Sequence, residues 1–220
     1  MATLLSTARP VLCPGQRIPG IVAQAGAAQK RGVIYAVCPS PLKAPMVWCG
    51  TDDGLIHLTL NDGKTWANVT PTGMTSWTKI TMVEASHTNY LEAYASADRH
   101  QLEDFAPHLY RTRDGGKTWQ DMEVGRFSPT TYGRDVKVAP SQPNTLYAAL
   151  SVAAASHDGG LYRSGDGGKS WQRFDKVQVH GTIMSIGLHQ TDPNQVYIGA
   201  RYDGEVFGTR DGGKTWTAMP

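Results

Sequence analysis

The sequence predicts an all-β protein built as a small β-propeller of four-stranded antiparallel blades. Two observations support this prediction: an octapeptide that recurs four times, and alternating apolar and polar residues on both sides of each copy. The tryptophans that close the copies fall at positions 66, 119, 171 and 216, so the steps are 53, 52 and 45 residues. A period of this length is typical of one supersecondary unit that needs its neighbours to bury its apolar face.

Each copy has the chemistry of a tight turn between two strands. Glycines allow positive φ, a short carboxylate can accept hydrogen bonds from N–H groups of the turn, and the tryptophan supplies a large apolar anchor. The first copy has Asn61 in place of the aspartate, with Asp62 displaced by one position. The copies are residues 59–66 (TLNDGKTW), 112–119 (TRDGGKTW), 164–171 (SGDGGKSW) and 209–216 (TRDGGKTW).

These copies resemble the Asp box, Ser/Thr-x-Asp-x-Gly-x-Thr-Trp, of the BNR-repeat β-propellers. This group contains sialidase-like and sortilin-like propellers and is often labelled glycosyl hydrolase-like. Residues 46–71 and 98–110 are also similar to a segment of large bacterial sortilin-type propellers. The resemblance implies a propeller in which the box is a structural turn away from the reacting groups, and it implies no particular chemistry.

We expect one domain, with four Asp-box blades in residues 32–220. Residues 1–31 are rich in Ala, Gly, Pro and Gln and contain no box. This segment is expected to form a closing strand or a degenerate blade. Five blades are favoured, because a ring of four must twist tightly. A fragment of a larger propeller is the third alternative.

Composition argues against several classes of function. The 21 basic and 19 acidic residues give a formal net charge of +2, and there is no basic block, so nucleic acid is not an expected partner. No apolar run is long enough to span a membrane, and the first residues lack the pattern of a signal peptide. The three cysteines, Cys13, Cys38 and Cys49, lack metal-site spacing. We therefore expect free thiols, a cytoplasmic location and no membrane partner.

The loops between the second and third strands of the blades are the expected location of a functional site. They lie on the face opposite the box turns, at the mouth of the channel. Three of these loops share an Asp-Gly core, which provides carboxylates suited to a hard cation such as Ca²⁺. An ordinary hairpin turn is the alternative. The candidate metal ligands are Asp53, Asp158 and Asp203.

The corresponding loop of the second blade is longer and more charged. Residues 97–107 contain three carboxylates, a histidine and an arginine, where a regular repeat needs only a short turn. Asp135 is a further exception, because we align it with Ile34, Ile80 and Ser185 of the other blades. The alternative for residues 97–107 is a solvated surface loop without function. The alternative for Asp135 is a channel carboxylate whose hydrogen bonds are satisfied within the fold. The candidate catalytic residues are Asp98, His100, Glu103, Asp104 and Asp135.

Four further side chains at the starts of strands or in these loops are candidates for substrate binding: Trp77, Tyr132, Arg134 and His157. Paired carboxylates suit a glycosidase, whereas carboxylates around Ca²⁺ suit hydrolysis of a lactone or ester. Motifs of serine hydrolases, zinc proteases and phosphate loops are missing from the sequence. We therefore predict a hydrolase that acts on a glycan or a small ester or lactone, with Ca²⁺ as a candidate cofactor. The alternative is a non-catalytic propeller that binds a protein or glycan on its rim.

Overall fold

Four separate antiparallel sheets make up the described part of the chain. The computed structural model describes residues 32–128, 132–152, 157–174, 181–201 and 204–219. Within these ranges, sixteen strands form four sheets of four strands each, and the strands of every sheet follow chain order. The predicted all-β architecture of four-stranded units is confirmed.

Each blade is one sheet, and its strands are numbered from the inside outwards. Blade 1 consists of β1 (Ile34–Pro39), β2 (Val47–Thr51), β3 (Ile56–Thr59) and β4 (Ala67–Asn68). Blade 2 consists of β5 (Lys79–Ala85), β6 (Ala93–Arg99), β7 (Asp104–Thr112) and β8 (Gln120–Asp121). Blade 3 consists of β9 (Tyr132–Ala139), β10 (Gln142–Ser151), β11 (Gly159–Ser164) and β12 (Gln172–Arg173). Blade 4 consists of β13 (Ile183–Leu188), β14 (Val196–Ala200), β15 (Val206–Thr209) and β16 (Thr217–Met219).

Helical structure in the described ranges is limited to two 3-10 turns, His100–Leu102 and Val124–Arg126. Neither turn is long and apolar enough to cross a bilayer.

The blades stack face to face, with their inner strands side by side. β1 lies next to β5, β5 next to β9, and β9 next to β13. Three apolar layers fill the spaces between consecutive blades. In the first layer, Trp48 and Ile56 of blade 1 meet the small side chains of Ala93 and Ala95 of blade 2. The core is therefore a set of interblade layers, and each blade depends on its neighbours for burial.

The outward face of blade 4 differs from the equivalent faces of the other blades. Val206 is 43% exposed, whereas Ile56 and Leu161, at the same register position in blades 1 and 3, are fully buried. Met219 is likewise 38% exposed. The described residues thus contain four blades. The expected fifth blade falls in residues 1–31, outside the described ranges, and the blade number of the ring stays a prediction.

The box turns are held by a repeated set of hydrogen bonds. Thr112 Oγ1 donates to Asp114 Oδ1 (2.9 Å) and accepts from the Gly116 N–H (2.9 Å). The backbone N–H and the hydroxyl of Thr118 both donate to the same carboxylate, at 2.9 and 2.6 Å. The third and fourth boxes repeat all four bonds. The hydrogen bonds from Thr118 are the main reason that the pKa of Asp114 is lowered to about 2.

In the first box, Asn61 takes the place of the aspartate. Its Oδ1 accepts from the Thr59 hydroxyl (3.1 Å) and the Thr65 N–H (2.9 Å), and its Nδ2 donates to Thr65 Oγ1 (2.8 Å). The displaced Asp62 adopts φ 58°, at the position where the second box has Gly115 with φ 75°. The neutral amide therefore preserves the turn, and Asp62 occupies a left-handed position that glycine normally fills.

The box also joins its blade to the preceding one. A Cβ on Gly116, which has φ 82°, would lie 2.6 Å from Val69 Cβ of blade 1. Trp119 Nε1 donates to the carbonyl oxygen of Val69 (2.6 Å), and its ring meets Trp48 edge-on with centroids 6.1 Å apart. Glycine at this position is thus needed for both the turn and the close approach of the blades.

We expect Trp119→Ala to lower the free energy of unfolding by about 3 kcal/mol, because it removes a half-buried ring from the layer between blades 1 and 2. Trp119→Phe is the matched control. It keeps a ring against Trp48 and loses the hydrogen bond to Val69, so it should cost only about 1 kcal/mol. Urea unfolding measures both changes. An unchanged midpoint for Trp119→Ala would show that this ring is not an interblade anchor.

Acid should weaken the box turns. The pKa values of Asp114 and Asp211 in the folded protein are about 2, below the ordinary 3.8, so their stabilisation is complete above about pH 4 and is lost as pH falls towards 2. Asp114→Asn should remain folded at neutral pH, as Asn61 shows for the first box. On acidification, its melting temperature should fall less than that of the unmodified protein. The melting temperature of the reciprocal variant, Asn61→Asp, should fall more than that of the unmodified protein. Identical acid dependence in all three proteins would contradict this account.

Candidate functional site

The starts of the inner strands and the loops between second and third strands share one face of the molecule, which we call the mouth. The box turns lie at the opposite face, because successive strands in each sheet are antiparallel. Six polar or aromatic side chains gather at the mouth. These residues, the mouth cluster, are Tyr35, Lys79, Asp98, His100, Tyr132 and Arg134.

A β-bulge at the start of every inner strand shapes this face. In blade 1, Ile34 and Ala36 pair with consecutive residues of β2, so Tyr35 is the extra, unpaired residue. The same shift leaves Thr81, Arg134 and Met184 as the extra residues of β5, β9 and β13. All four of these residues line one cavity. A bulge re-aims the side chain that it carries, and here it directs one residue from each blade towards the channel.

That cavity has a volume of about 480 Å³ and lies where the four inner strands approach one another. Its other lining residues are Val33, Ile34 and Met82, so its wall is largely apolar. The volume is in the range of small-molecule sites. Arg134 lines the cavity and also donates through Nη1 to the Tyr132 hydroxyl (3.2 Å), which connects the cavity to the loop that follows β6.

Asp98 and His100 form a dyad at the start of that loop. Asp98 is 4% exposed; its Oδ1 accepts from the His100 backbone N–H (3.0 Å), and its Oδ2 lies 2.6 Å from His100 Nδ1. The His100 side chain itself is 46% exposed, and its ring centroid lies 6.5 Å from that of Tyr132. A buried carboxylate that fixes one imidazole nitrogen leaves the other for proton transfer.

Two cations surround the Tyr35 ring. Lys79 Nζ lies 3.7 Å from its centroid and the guanidinium carbon of Arg134 lies 5.8 Å away. Burial raises the pKa of Tyr35, but Arg134 and Lys79 together outweigh burial and lower it. The opposite holds for Tyr132, where burial and then the charge of Asp98 raise the pKa to about 12. Burial is thus outweighed by the cations at Tyr35 but not at Tyr132.

Glu103 and Asp104, the other candidate catalytic residues of this loop, have different surroundings. Glu103 is exposed, has φ 58° and ends the short 3-10 turn by donating its N–H to the His100 carbonyl oxygen (3.1 Å). The Asp104 carboxylate contacts His108 Nε2 (3.0 Å) and Arg99 Nε (3.4 Å). Burial raises the pKa of Asp104, but the hydrogen bond and charge of His108 outweigh burial and lower it. Asp104 therefore belongs to a strand-pairing network between β6 and β7.

Asp135 lies in the layer between blades 3 and 4. It is 1% exposed; its Oδ2 accepts from the Ile186 N–H of β13 (2.9 Å), and its Oδ1 has no hydrogen-bond partner. Burial raises its pKa to about 6, against the charge of Lys137 and the Ile186 N–H. The bulge at Arg134 also corrects the sequence alignment: Asp135 corresponds to Ala36 and Met82, not to Ile34 and Ile80. The alternation of strand residues alone could not reveal an inserted residue.

The candidate metal ligands do not form one site in the described ranges. Asp53 Oδ1 accepts from the Thr51 hydroxyl (2.6 Å) within its turn, and Asp158 is exposed beside His157. Asp203 lies outside the described residues. Those that are described include no group of three or more His, Cys, Asp or Glu side chains arranged to hold a metal. Ca²⁺ therefore stays a prediction.

Trp77, a candidate binding residue, is 54% exposed and precedes β5 at the mouth. Cys38 and Cys49 are free thiols, and burial raises their pKa values to about 11 and 12, which makes them poor nucleophiles. Cys13 lies outside the described residues.

Tyr35 was not among the residues that the sequence assigned to the site. A signal for Tyr35 was present: the aligned bulge position holds Thr81, Arg134 or Met184 in the other blades, so an aromatic residue occurs there only in blade 1. This signal depends on the correct alignment of the inner strands, which the bulges conceal.

Residues 110–121 match the BNR/Asp-box repeat family. The chain is similar to the structure of a Niastella koreensis GH74 enzyme (18% identity, TM-score 0.65), over 86% of this chain and 30% of that one. It is also similar to YCF48 from Cyanidioschyzon merolae (18% identity, TM-score 0.63, 85% and 56% of the two chains) and to YCF48 bound to D1 peptide (14%, 0.51, 85% and 82%). No curated protein matches the sequence. The chain thus spans less than a third of the GH74 enzyme, and at these identities the similarity shows a propeller-type fold alone.

Asp135 should make stability depend on pH between about 4 and 7. Its pKa is about 6 in the folded protein and 3.8 ordinarily, so its contribution is most favourable below about pH 4 and is lost as pH rises through 6. In Asp135→Asn, the free energy of unfolding relative to the unmodified protein should therefore rise by about 2 kcal/mol from pH 4 to pH 7. Urea unfolding at both pH values measures this difference. A constant difference would show that Asp135 titrates normally.

Proposed function

We propose that this Asp-box β-propeller is a hydrolase whose reaction takes place at the mouth of the central channel. The observation that supports the proposal most is the contact of 2.6 Å between Asp98 Oδ2 and His100 Nδ1. Tyr132, beside His100, and Arg134, which donates to Tyr132, link this dyad to the cavity of about 480 Å³. A small ester or lactone is the preferred substrate class, because the site pairs a histidine base with cations.

His100 acts as the general base in this proposal. In it, His100 Nδ1–H donates a hydrogen bond to Asp98 Oδ2, which fixes the tautomer and leaves Nε2 as the proton acceptor. Nε2 removes a proton from a water molecule as the water attacks the carbonyl carbon of the substrate. The imidazolium that forms is stabilised by the buried Asp98 carboxylate, as in other carboxylate–histidine pairs.

Lys79 and Arg134 supply the positive charge that the reaction needs. Attack by water places a negative charge on the former carbonyl oxygen, and cations fixed beforehand stabilise such a charge without reorganising. When the tetrahedral intermediate collapses, the bond to the leaving oxygen breaks and His100 returns its proton to that oxygen. The products are a carboxylic acid and an alcohol, or one hydroxy acid from a lactone.

Glycoside hydrolysis is the less favoured reaction. It requires two carboxylates on opposite sides of the scissile bond. Asp104 is engaged with His108 and Arg99, and Asp135 is buried between blades 3 and 4. Asp98 with the exposed Glu103 is the remaining pair from the predicted set. The fold similarity to a GH74 enzyme keeps aryl glycosides in the substrate panel.

The test is hydrolysis of aryl esters, γ-lactones and aryl glycosides by the purified protein, with EDTA and with added Ca²⁺. We expect turnover of an ester or lactone, with kcat/KM reduced about 100-fold by His100→Asn. His87→Asn is the matched control, since His87 lies in the β5–β6 turn at the opposite face, 3.9 Å from Glu84. Loss of activity in EDTA and recovery with Ca²⁺ would support the metal. Full activity of His100→Asn, or no turnover of any substrate, would overturn the hydrolase.

A non-catalytic propeller that binds a peptide or glycan is the second candidate. The aromatic side chains of Trp77 and Phe105, 54% and 57% exposed, lie near the mouth and favour this alternative. The related fold of YCF48 has been solved with D1 peptide bound. Binding of a peptide or glycan without turnover of any substrate in the panel would select this function.

A further inference from the structure

Lys79 and Arg134 have no carboxylate within ion-pair distance among the described residues. Lys79 Nζ lies over the Tyr35 ring, and Arg134 donates to the Tyr132 hydroxyl. Both contacts are with neutral groups, and both cations are half-buried. Arg134 lines the cavity, and Lys79 lies over Tyr35, which also lines it. Partial burial of a cation is costly unless an anion compensates its charge.

Three other half-buried cations among the described residues, Arg99, Arg111 and Lys137, do have such partners. Arg111 Nε donates to Glu92 Oε1 (2.7 Å), and Lys137 Nζ donates to Glu84 Oε2 (2.8 Å). Arg163, the remaining half-buried cation without a carboxylate partner among the described residues, lies over the Phe174 ring away from the mouth, so Lys79 and Arg134 are the two such cations at the mouth. Groups held without a partner in a concave surface are typical of a site completed by a ligand.

Asp98 is the register partner of Lys79 in β5 and β6, and it forms no ion pair with Lys79 or Arg134. Both of its oxygens are engaged with His100. With His100 neutral, Lys79, Arg134 and Asp98 give the mouth cluster a net charge of +1. The lowered pKa of Tyr35 agrees with this excess, because the two cations outweigh the opposing effect of burial.

The cavity that Arg134 lines is largely apolar. Val33, Ile34, Met82 and Met184 form most of its wall, while Arg134 lies at its rim. A ligand that matches this arrangement has an apolar body for the cavity and a negative charge for the rim. The bulges fix the arrangement, because Arg134 and Met184 are both extra residues of their strands.

We propose that the mouth binds a small organic carboxylate, with its apolar part in the cavity and its carboxylate between Lys79 and Arg134. The inference rests on the proposed function for the location of the site. It narrows the substrate class to esters or lactones of small organic acids, whose hydrolysis forms a carboxylate at the position where Lys79 and Arg134 stabilise the developing charge, in preference to neutral glycans. An arginine and a lysine placed together favour an anion over a neutral group of the same shape.

Calorimetric titration with 4-phenylbutyrate and its neutral amide, 4-phenylbutyramide, tests the inference without any need for turnover. We expect the carboxylate to bind at least about 10-fold more tightly, with a preference that decreases as salt screens the charges. Arg134→Gln and Lys79→Gln should each weaken carboxylate binding by about 5-fold or more and leave amide binding unchanged. Melting curves check that the variants are folded. If Arg134→Gln is unfolded, Lys79→Gln alone tests the inference.

Lys43→Gln is the matched control, since Lys43 Nζ also lies over a tyrosine ring, 4.7 Å from the centroid of Tyr90, in the turn after β1 at the box face. It should bind both compounds like the unmodified protein. Equal affinity for carboxylate and amide, or unchanged carboxylate binding by a folded Lys79→Gln, would overturn the inference. Carboxylate binding without hydrolysis of any substrate would refute the hydrolase and retain the anion site. Hydrolysis together with equal binding of carboxylate and amide would retain the hydrolase and refute the anion site.

Discussion

The docking of each Asp box onto the preceding blade is the contact on which the rest of this structure depends. A four-stranded sheet with apolar residues on both faces cannot bury both of them alone. The box solves this at each junction: its second glycine permits close approach, and its tryptophan fills the layer, as Trp119 does against Trp48 and Val69. The turn hydrogen bonds around the aspartate hold these two groups in place.

This stacking brings together residues that are far apart in the chain. Tyr35 and Arg134 are separated by almost half of the sequence, yet they face each other because β1, β5 and β9 lie side by side. The bulges then direct one side chain per blade towards the axis. The mouth residues on strands are thus placed by a packed scaffold, while His100 is placed by a loop whose buried anchor is Asp98.

The charged groups along the inner strands separate into two sets with different surroundings. The mouth cluster faces a cavity and keeps an excess of positive charge. Asp135, by contrast, is buried between blades 3 and 4, where it caps a backbone N–H of β13. Asp98 and Asp135 were both candidate catalytic residues in the sequence, but their surroundings differ. Asp98 contacts the accessible His100, whereas Asp135 accepts a hydrogen bond from a backbone N–H.

The sequence by itself determined the repeat, the turns and the four-stranded units, because these depend on local physics. Glycines with positive φ, an aspartate or asparagine that binds its own turn, and alternating strands act within about ten residues of one another. The fourth strands are short, for example Ala67–Asn68, since the box turn occupies the residues before them. Only the tertiary structure decided which polar residues meet. One inserted residue per inner strand reverses the side-chain alternation beyond it, and the sequence pattern does not mark the insertion. The mouth cluster includes Tyr35 and Lys79, whereas Asp135 lies in an interblade layer, because the bulges and the blade stacking fixed where each side chain points.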